Sequence, residues 1–266
     1  MIRPEISEYY ARGGEYGRLS AREGRLEFLR TWDVLTRVLP PVPAAVLDVG
    51  GATGVYAAPL ATAGYAVHVV DPVARHVTDA ATRPGVTATL GDARALPVPD
   101  GSVDAVLLLG PLYHLTDRDD RVLAWREAGR AVRPGGVVVA ATISRYASLM
   151  DGFAKGYFTD ARFRPLVDGA LASGRHANGD PTRQWFTTAY FHHPSELPLE
   201  VTDAGLVLDR VVAVESPLWL LGERLDEILA DRVQVDLLLE MLRTVEADPT
   251  LLGASSHLLT IAHRAP

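Results

Sequence analysis

Between residues 45 and 143 short apolar runs alternate with helical stretches, and no other feature restricts the fold as strongly. The runs are Ala45–Val49, Ala66–Val70, Thr87–Leu90, Val103–Leu109 and Val137–Ile143, the last opened by Pro134-Gly135-Gly136. Asp119–Val132 is the clearest helical stretch among them. Strands that alternate with helices build a parallel, doubly wound α/β sheet. Apart from Asp104, Val103–Leu109 is continuously apolar, which suits a strand covered on both faces.

The flanks follow other patterns. Residues 5–39 read as helical, with Leu26, Leu29, Val34, Leu35 and Val38 near helical spacing. Pro40-Pro41-Val42-Pro43 ends that segment, because proline cannot continue a helix. Residues 145–199 are rich in aromatics, glycine and proline and read as a cap inserted after the fifth strand. Leu206–Glu215 resumes a strand, Gly222–Ala247 reads as one long helical insert, and Ser256–Ala262 closes as a strand. The expected units are an N-terminal helical lid (1–43), a core (44–144), a cap (145–199) and the end of the core sheet (200–266). The last unit carries a helical insert at about 217–254, whose stripe Leu225, Ile228, Leu229, Val233 and Leu237 serves either the core or a homodimer contact.

Composition removes several function classes. None of the 266 residues is cysteine, which excludes disulfide scaffolds, thiolate zinc sites and cysteine nucleophiles. The net charge of −7 argues against binding nucleic acid, which needs a basic stripe over the phosphates. No run of about 18 apolar residues occurs, and Met1-Ile2-Arg3-Pro4-Glu5 is too polar for a signal peptide. The expectation is a soluble, cytoplasmic protein with no membrane partner. Lys155 is the only lysine.

The sharpest motif is Val46-Leu47-Asp48-Val49-Gly50-Gly51-Ala52-Thr53-Gly54, an apolar strand running into a small-residue turn that should open a helix at Val55. Small residues permit close backbone approach, and the turn with its helix N-terminus offers N–H groups to an anionic ligand group. Taken alone, the loop also fits a tight turn without a ligand. Asp71 ends the second run in Val69-Val70-Asp71-Pro72, where a carboxylate can accept from both ribose hydroxyls. Asp92 follows the third in Leu90-Gly91-Asp92-Ala93, within reach of an adenine amine. Asp104 reads as a solvated or turn residue. Turn, Asp71 and Asp92 together trace a nucleoside across the strand ends.

With Pro99–Asp104, Gly110-Pro111-Leu112-Tyr113-His114-Leu115 and Arg133–Gly136 added, the chain resembles the class I S-adenosylmethionine-dependent methyltransferases, closely over residues 44–144 and more loosely beyond. The resemblance implies a Rossmann-like, mostly parallel seven-stranded sheet, order 3-2-1-4-5-7-6 with strand 7 antiparallel, and S-adenosylmethionine as cofactor. It implies that Asp48 anchors the turn and reaches the methionyl ammonium. Gly50, Gly51 and Gly54 would line the methionyl and ribose portion, Asp71 with Pro72 would hold the ribose, Asp92 and Ala93 the adenine, and Leu109 and Gly110 would pass beneath the sulfonium. Arg18 is the candidate for the cofactor's carboxylate, with a surface ion pair as the alternative. One departure is Ala52, where the family's turn has its middle glycine; a methyl group there is tolerated only at negative φ.

Methyl transfer is an in-line displacement with a neutral leaving group, so it needs alignment and, for an O–H or N–H nucleophile, a proton acceptor. His114 and His192 are the candidates for base or orienter. A structural histidine capping the next helix is the alternative for His114, and His68 reads as packed in its strand. Tyr9, Tyr10, Tyr113, Arg145, Tyr146, Tyr190 and His193 are candidate substrate contacts, as an aromatic wall suits a planar small-molecule acceptor. No metal is expected, since no carboxylate cluster or His-x-Glu spacing accompanies the histidines. The expected activity is methylation of an O, N or C nucleophile on a small aromatic metabolite, as in natural-product biosynthesis. Three rivals stand beside it. A catalytically silent S-adenosylmethionine-binding or scaffold protein would share the acidic positions. A protein or RNA methyltransferase would need an open cleft. A short-chain dehydrogenase shares Gly51-Ala52-Thr53-Gly54 but needs a tyrosine four residues before its lysine, and Asp151 stands there before Lys155.

Overall fold

The computed structural model describes residues 3, 6, 9, 10, 19, 22–178, 180, 183 and 185–266. Helix α1 (Arg22–Val38) precedes the sheet. Then come β1 (Ala45–Val49), α2 (Ala57–Thr62), β2 (Ala66–Asp71), α3 (Ala74–Ala81), β3 (Val86–Leu90), β4 (Val103–Leu108), α4 (Arg118–Ala131) and β5 (Val132–Ser144). The cap supplies α5 (Ala147–Ala154), α6 (Phe163–Ser173), β6 (Arg175–His176) and β7 (Ala189–His192). The chain ends with α7 (Leu197–Asp203), β8 (Val207–Ala213), α8 (Glu223–Ala230), α9 (Arg232–Val245), α10 (Pro249–Leu252) and β9 (His257–His263).

The sheet runs β3-β2-β1-β4-β5, all parallel. Beyond β5 the final strand β9 pairs antiparallel along Val137–Ile143, and β8 pairs antiparallel outside it. Setting aside the two cap strands, this is the expected order 3-2-1-4-5-7-6 with the last strand reversed. The cap adds β7, parallel to the final two residues of β5, and β6 beside β7, making nine strands among the described residues.

Side chains along each central strand alternate between two cores. Val46, Ala105, Leu107, Val137 and Val139 face one layer with Leu35 of α1, Leu60 of α2 and Ala80 of α3. Leu47, Val49, Val106, Leu108, Val138 and Ala140 face the other with Trp125 of α4 and Val201 of α7. Both faces are covered, so the strands read as apolar runs.

Two expectations at element level are corrected. The 222–247 insert is two helices, because Asp231 adopts an extended conformation and its carboxylate caps α9 at Val233 N and Gln234 N. Its stripe divides accordingly: Leu225 and Leu229 pack with Leu26 and Leu242, while Val233 and Leu237 are exposed. The helix after the glycine turn starts at Ala57, not Val55, since residues 52–56 remain in turns. Asp104 is no solvated turn residue: it accepts from Ala45 N at 2.7 Å and pairs with Arg133, tying β4 to the start of β1. His68 meets Thr87 Oγ1 of the neighbouring strand at 2.8 Å.

Helix α1 is fastened to the insert by buried charge. Arg30, wholly buried, reaches Asp33 at 2.5 Å, Glu246 at 2.9 Å and the Val214 carbonyl at 3.2 Å. Arg37 adds two bonds to Glu246. No helix among the described residues is long and apolar enough to cross a membrane.

Candidate active site

The carboxyl ends of β1, β2 and β4 open into a cavity of about 820 Å³, at the upper end of the range for small-molecule sites. Its floor is the turn after β1. Gly50 sits at φ +69°, a value for which glycine carries no steric penalty. A β-carbon at Gly50 would stand 2.9 Å from Pro111 Cδ, and one at Gly110 would stand 3.0 Å from the Gly50 carbonyl. The two loops therefore meet backbone to backbone. Ala52 lies at φ +46°, against the expectation of negative φ. Its N–H donates to Asp71 Oδ2 at 3.0 Å, a charge-assisted bond that offsets the cost of the left-handed conformation. Gly54, at φ +80°, shapes the turn but does not line the cavity.

Asp48 is the most unusual group. It is 1% exposed, it lines the cavity, and neither carboxylate oxygen has a hydrogen-bond partner among the described residues. Burial, aided by the charge of Asp71, pushes its pKa up to about 7. An unpartnered carboxylate in a cavity wall is the complement of a cationic ligand group. Gly51 is what leaves room for it, as a β-carbon there would lie 2.5 Å from Asp48 Oδ2.

Asp71 is also buried, but it is well supplied. Oδ1 accepts from Val73 N at 2.9 Å and lies 3.1 Å from His76 Nδ1, while Oδ2 holds the turn through Ala52. Asp92 takes a fork from Arg94, with Nε–Oδ1 at 2.9 Å and Nη2–Oδ2 at 2.6 Å, which holds its carboxyl well below the usual range. Arg94 in turn reaches Asp120 at 2.8 Å. Pro72, Ala93, Leu109 and Gly110 also line the cavity. Arg18 lies outside the described residues.

His114 follows β4 on a short 3₁₀ turn, Leu112–His114, and lines the cavity. Its Nε2 is 2.6 Å from the Tyr10 hydroxyl, and burial pushes its pKa down to about 3, partly opposed by the backbone of Thr188. The Tyr10 ring stands edge-on to both His76 and His114, at 5.5 and 5.4 Å. Tyr9 and Tyr113 line the same space and both meet Phe186, at 5.6 and 6.0 Å.

The remaining expected residues lie elsewhere. His192 does not line the cavity; it is wholly buried, 3.5 Å from Glu200 and edge-on to Tyr190. Glu200 in turn bonds Arg121 at 2.8 Å, so His192 belongs to a structural charge cluster behind the cap. Arg145 is spent on the Phe191 carbonyl and Glu196, at 2.8 and 2.7 Å. Tyr190 stacks under Arg121, 3.7 Å from its ring centre, and its hydroxyl donates to Glu196. His193 caps the 3₁₀ turn Pro194–Glu196, accepting from Ser195 N. Tyr146 packs against His193, with ring centres 6.2 Å apart. None of these four lines the cavity. The common cause is local: β7 and the turn after it fold back on β5, so their side chains serve that junction.

Sequence reasoning also missed residues that do converge. Glu27 of α1, Glu215 after β8 and His257 opening β9 all line the cavity, with ligand atoms within 4.8 Å of one another. His257 Nδ1 lies 2.6 Å from Glu215 Oε1. The antiparallel pairing of β8 with β9 brings two of these together across a long stretch of chain, which no local spacing reveals.

Residues 46–136 match the methyltransferase domain family. A curated but uncharacterised methyltransferase of Mycobacterium bovis is 37% identical over 100 residues, 37% of this chain and 40% of that protein. The match thus spans about two fifths of the length of that relative. Among solved structures, an S-adenosylmethionine-dependent methyltransferase from Methanosarcina mazei is similar with a TM-score of 0.58 and 17% identity, over 87% of this chain and 97% of that one. The CcbJ methyltransferase from Streptomyces caelestis aligns with a TM-score of 0.57 and 18% identity, over 90% and 89% of the two chains. At such identities the shared property is the fold.

Proposed function

We propose that this chain, whose residues 46–136 match the methyltransferase domain family and whose fold is shared with S-adenosylmethionine-dependent methyltransferases, methylates an O, N or C nucleophile of a small aromatic molecule. The observation that carries this reading is the single cavity that joins the Asp48 turn, Asp71 and Asp92 to a wall of Tyr9, Tyr113, Trp185 and Phe186.

The residues fit the cofactor. When bound, S-adenosylmethionine supplies an electrophilic methyl group on a sulfonium. Asp48 would hold its ammonium, and the orphaned, buried state of that carboxylate is the reason for the assignment. Asp71 would accept from the ribose hydroxyls with the lone pairs left by its backbone bonds, and Asp92, kept ionised by Arg94, would accept from the adenine amine. The close contact of Gly50 and Gly110 keeps the floor flat enough for a ligand to lie against backbone.

The acceptor side is built by His114 and the aromatics. Because burial keeps the His114 ring neutral at pH 7, its role is to orient the acceptor by hydrogen bonding rather than to store a proton. The His257–Glu215 pair, on the same cavity wall, would take up a proton released by an O–H or N–H acceptor. The contribution of cap residues to the cavity wall favours a small acceptor over a polymer.

Incubation with S-adenosylmethionine carrying a deuterated methyl group, across phenols, indoles and aryl amines, tests the reading by mass spectrometry. At least one ring compound should gain the labelled methyl, and His114→Ala, by loosening the orientation of the acceptor, should lower kcat about 10- to 100-fold. Tight binding of S-adenosylhomocysteine with no labelled product across the panel would favour the silent-binding reading.

A further inference from the structure

One arm of the cavity wall is built by cap residues, none of them among those assigned to the cofactor. Ser148 and Asp151 of α5, Phe163 of α6, His176 of β6, and Trp185 with Phe186 before β7 line it. Ser148 and His176 are 5% and 2% exposed, and both reach the cavity wall. Their polar atoms form a directed chain. His176 Nε2 is 3.2 Å from the Phe186 carbonyl oxygen, and Nδ1 is 3.0 Å from Ser148 Oγ.

The direction of that chain follows from the carbonyl. A carbonyl oxygen only accepts, so Nε2 carries the ring proton. Burial pushes the His176 pKa down to about 4 against the opposing charge of Asp151, so the ring is neutral at pH 7 and holds one proton. Nδ1 is therefore a bare acceptor, and the Ser148 O–H donates to it. The ring is held in place by a parallel stack on Phe191, with centres 4.9 Å apart and planes 7° apart. Ser148 Oγ thus retains lone pairs and has no hydrogen left to give. A polar atom in this state accepts hydrogen bonds and offers none.

We propose that Ser148, fixed by His176, is an acceptor-only hydrogen-bond port that selects a planar ligand bearing an O–H or N–H donor and rejects the same ring with that group capped. The aromatic residues of the arm hold the ring, and the port reads its substituent. This rests on the reading that the cavity takes an aromatic methyl acceptor, and it narrows that class to donor-bearing rings. Sites built to pair a substrate hydroxyl reject analogues lacking it strongly, because a buried polar group is otherwise left unpaired.

Calorimetry on the full chain, saturated with S-adenosylhomocysteine, tests the port with 2-naphthol and 2-methoxynaphthalene as probes. The wild type should bind 2-naphthol at least about tenfold more tightly. His176→Phe preserves the stack but removes Nδ1, freeing the Ser148 hydroxyl to donate; the preference should fall below about threefold or invert toward the methoxy probe. Ser148→Ala should weaken 2-naphthol while leaving the methoxy probe within about twofold. A merely structural role for the pair would lower both affinities together. Equal binding by the wild type, a preference unchanged in both variants, or no binding of either probe would overturn the proposal. Methyl transfer is scored separately: a donor preference without turnover keeps the port and rejects the catalytic reading, whereas turnover without a donor preference does the reverse.

Discussion

Asp48 concentrates the physics of the site in one side chain. Folding buries its carboxylate without a partner, so the folded state favours the protonated acid and raises its pKa to about 7. The unfolded chain releases that proton near the ordinary value of 3.8. Between these two limits the folded state binds more protons, so this group lowers stability as pH rises, with the full penalty present above pH 7. Asp48→Asn should therefore gain stability relative to wild type on going from pH 4 to pH 8, by up to a few kcal/mol. The same substitution should weaken S-adenosylhomocysteine at least about tenfold at pH 8, because the charge is removed. Paired thermal-melt and calorimetric series check both, and a variant that follows the wild-type pH curve would refute the assignment. The motif around Asp48 was legible because strand, small-residue turn and acids are consecutive or at strand ends. The histidines were legible only as residue types: His114 lines the cavity whereas His192 does not, and that difference arises from packing between distant segments.

At the scale of elements, β1, β2, β4 and β5 could be read because they are largely apolar on both faces and bounded by turn residues, whereas the edge strand β3, with Thr87, Thr89 and Leu90 exposed, gave a weaker signal. The insert could not be read in the same way. Its helical periodicity continues through residue 231, and only the capping carboxylate of Asp231 reveals the break. The role of α1 was equally hidden, since its contacts are long-range: Arg30 joins Asp33 to Glu246 more than two hundred residues later. Removing that guanidinium takes from both carboxylates their wholly buried partner and leaves Glu246 to Arg37 and Asp33 to Arg37 and Arg243, which are partly exposed. Arg30→Ala should cost about 1–3 kcal/mol, read from denaturant melts, whereas replacing an exposed arginine such as Arg164 should cost under about 1 kcal/mol. A loss below about 1 kcal/mol at Arg30 would show that α1 is held by its apolar face alone.

For the whole molecule, the doubly wound sheet fixes where the chemistry must lie. Parallel strands end together, and the loops after β1, β2 and β4 converge on one cavity that the cap and α1 extend and cover. The alternation of elements gives a doubly wound sheet and the family resemblance implies its order, but neither foretells that β7 pairs with β5 and β6 with β7, because these cap strands are short and carry no periodic signal. The proposed chemistry requires the cavity to hold the adenosyl cofactor at the ends of β1 and β2. Titration of the wild type and Asp71→Ala with S-adenosylhomocysteine, followed by calorimetry, tests this most directly. One-to-one binding by the wild type, weakened at least about tenfold in the variant, is the expected result, since Asp71 both holds the turn through Ala52 and lines the cavity. Absence of binding by the wild type, or equal affinity in the two proteins, would contradict it.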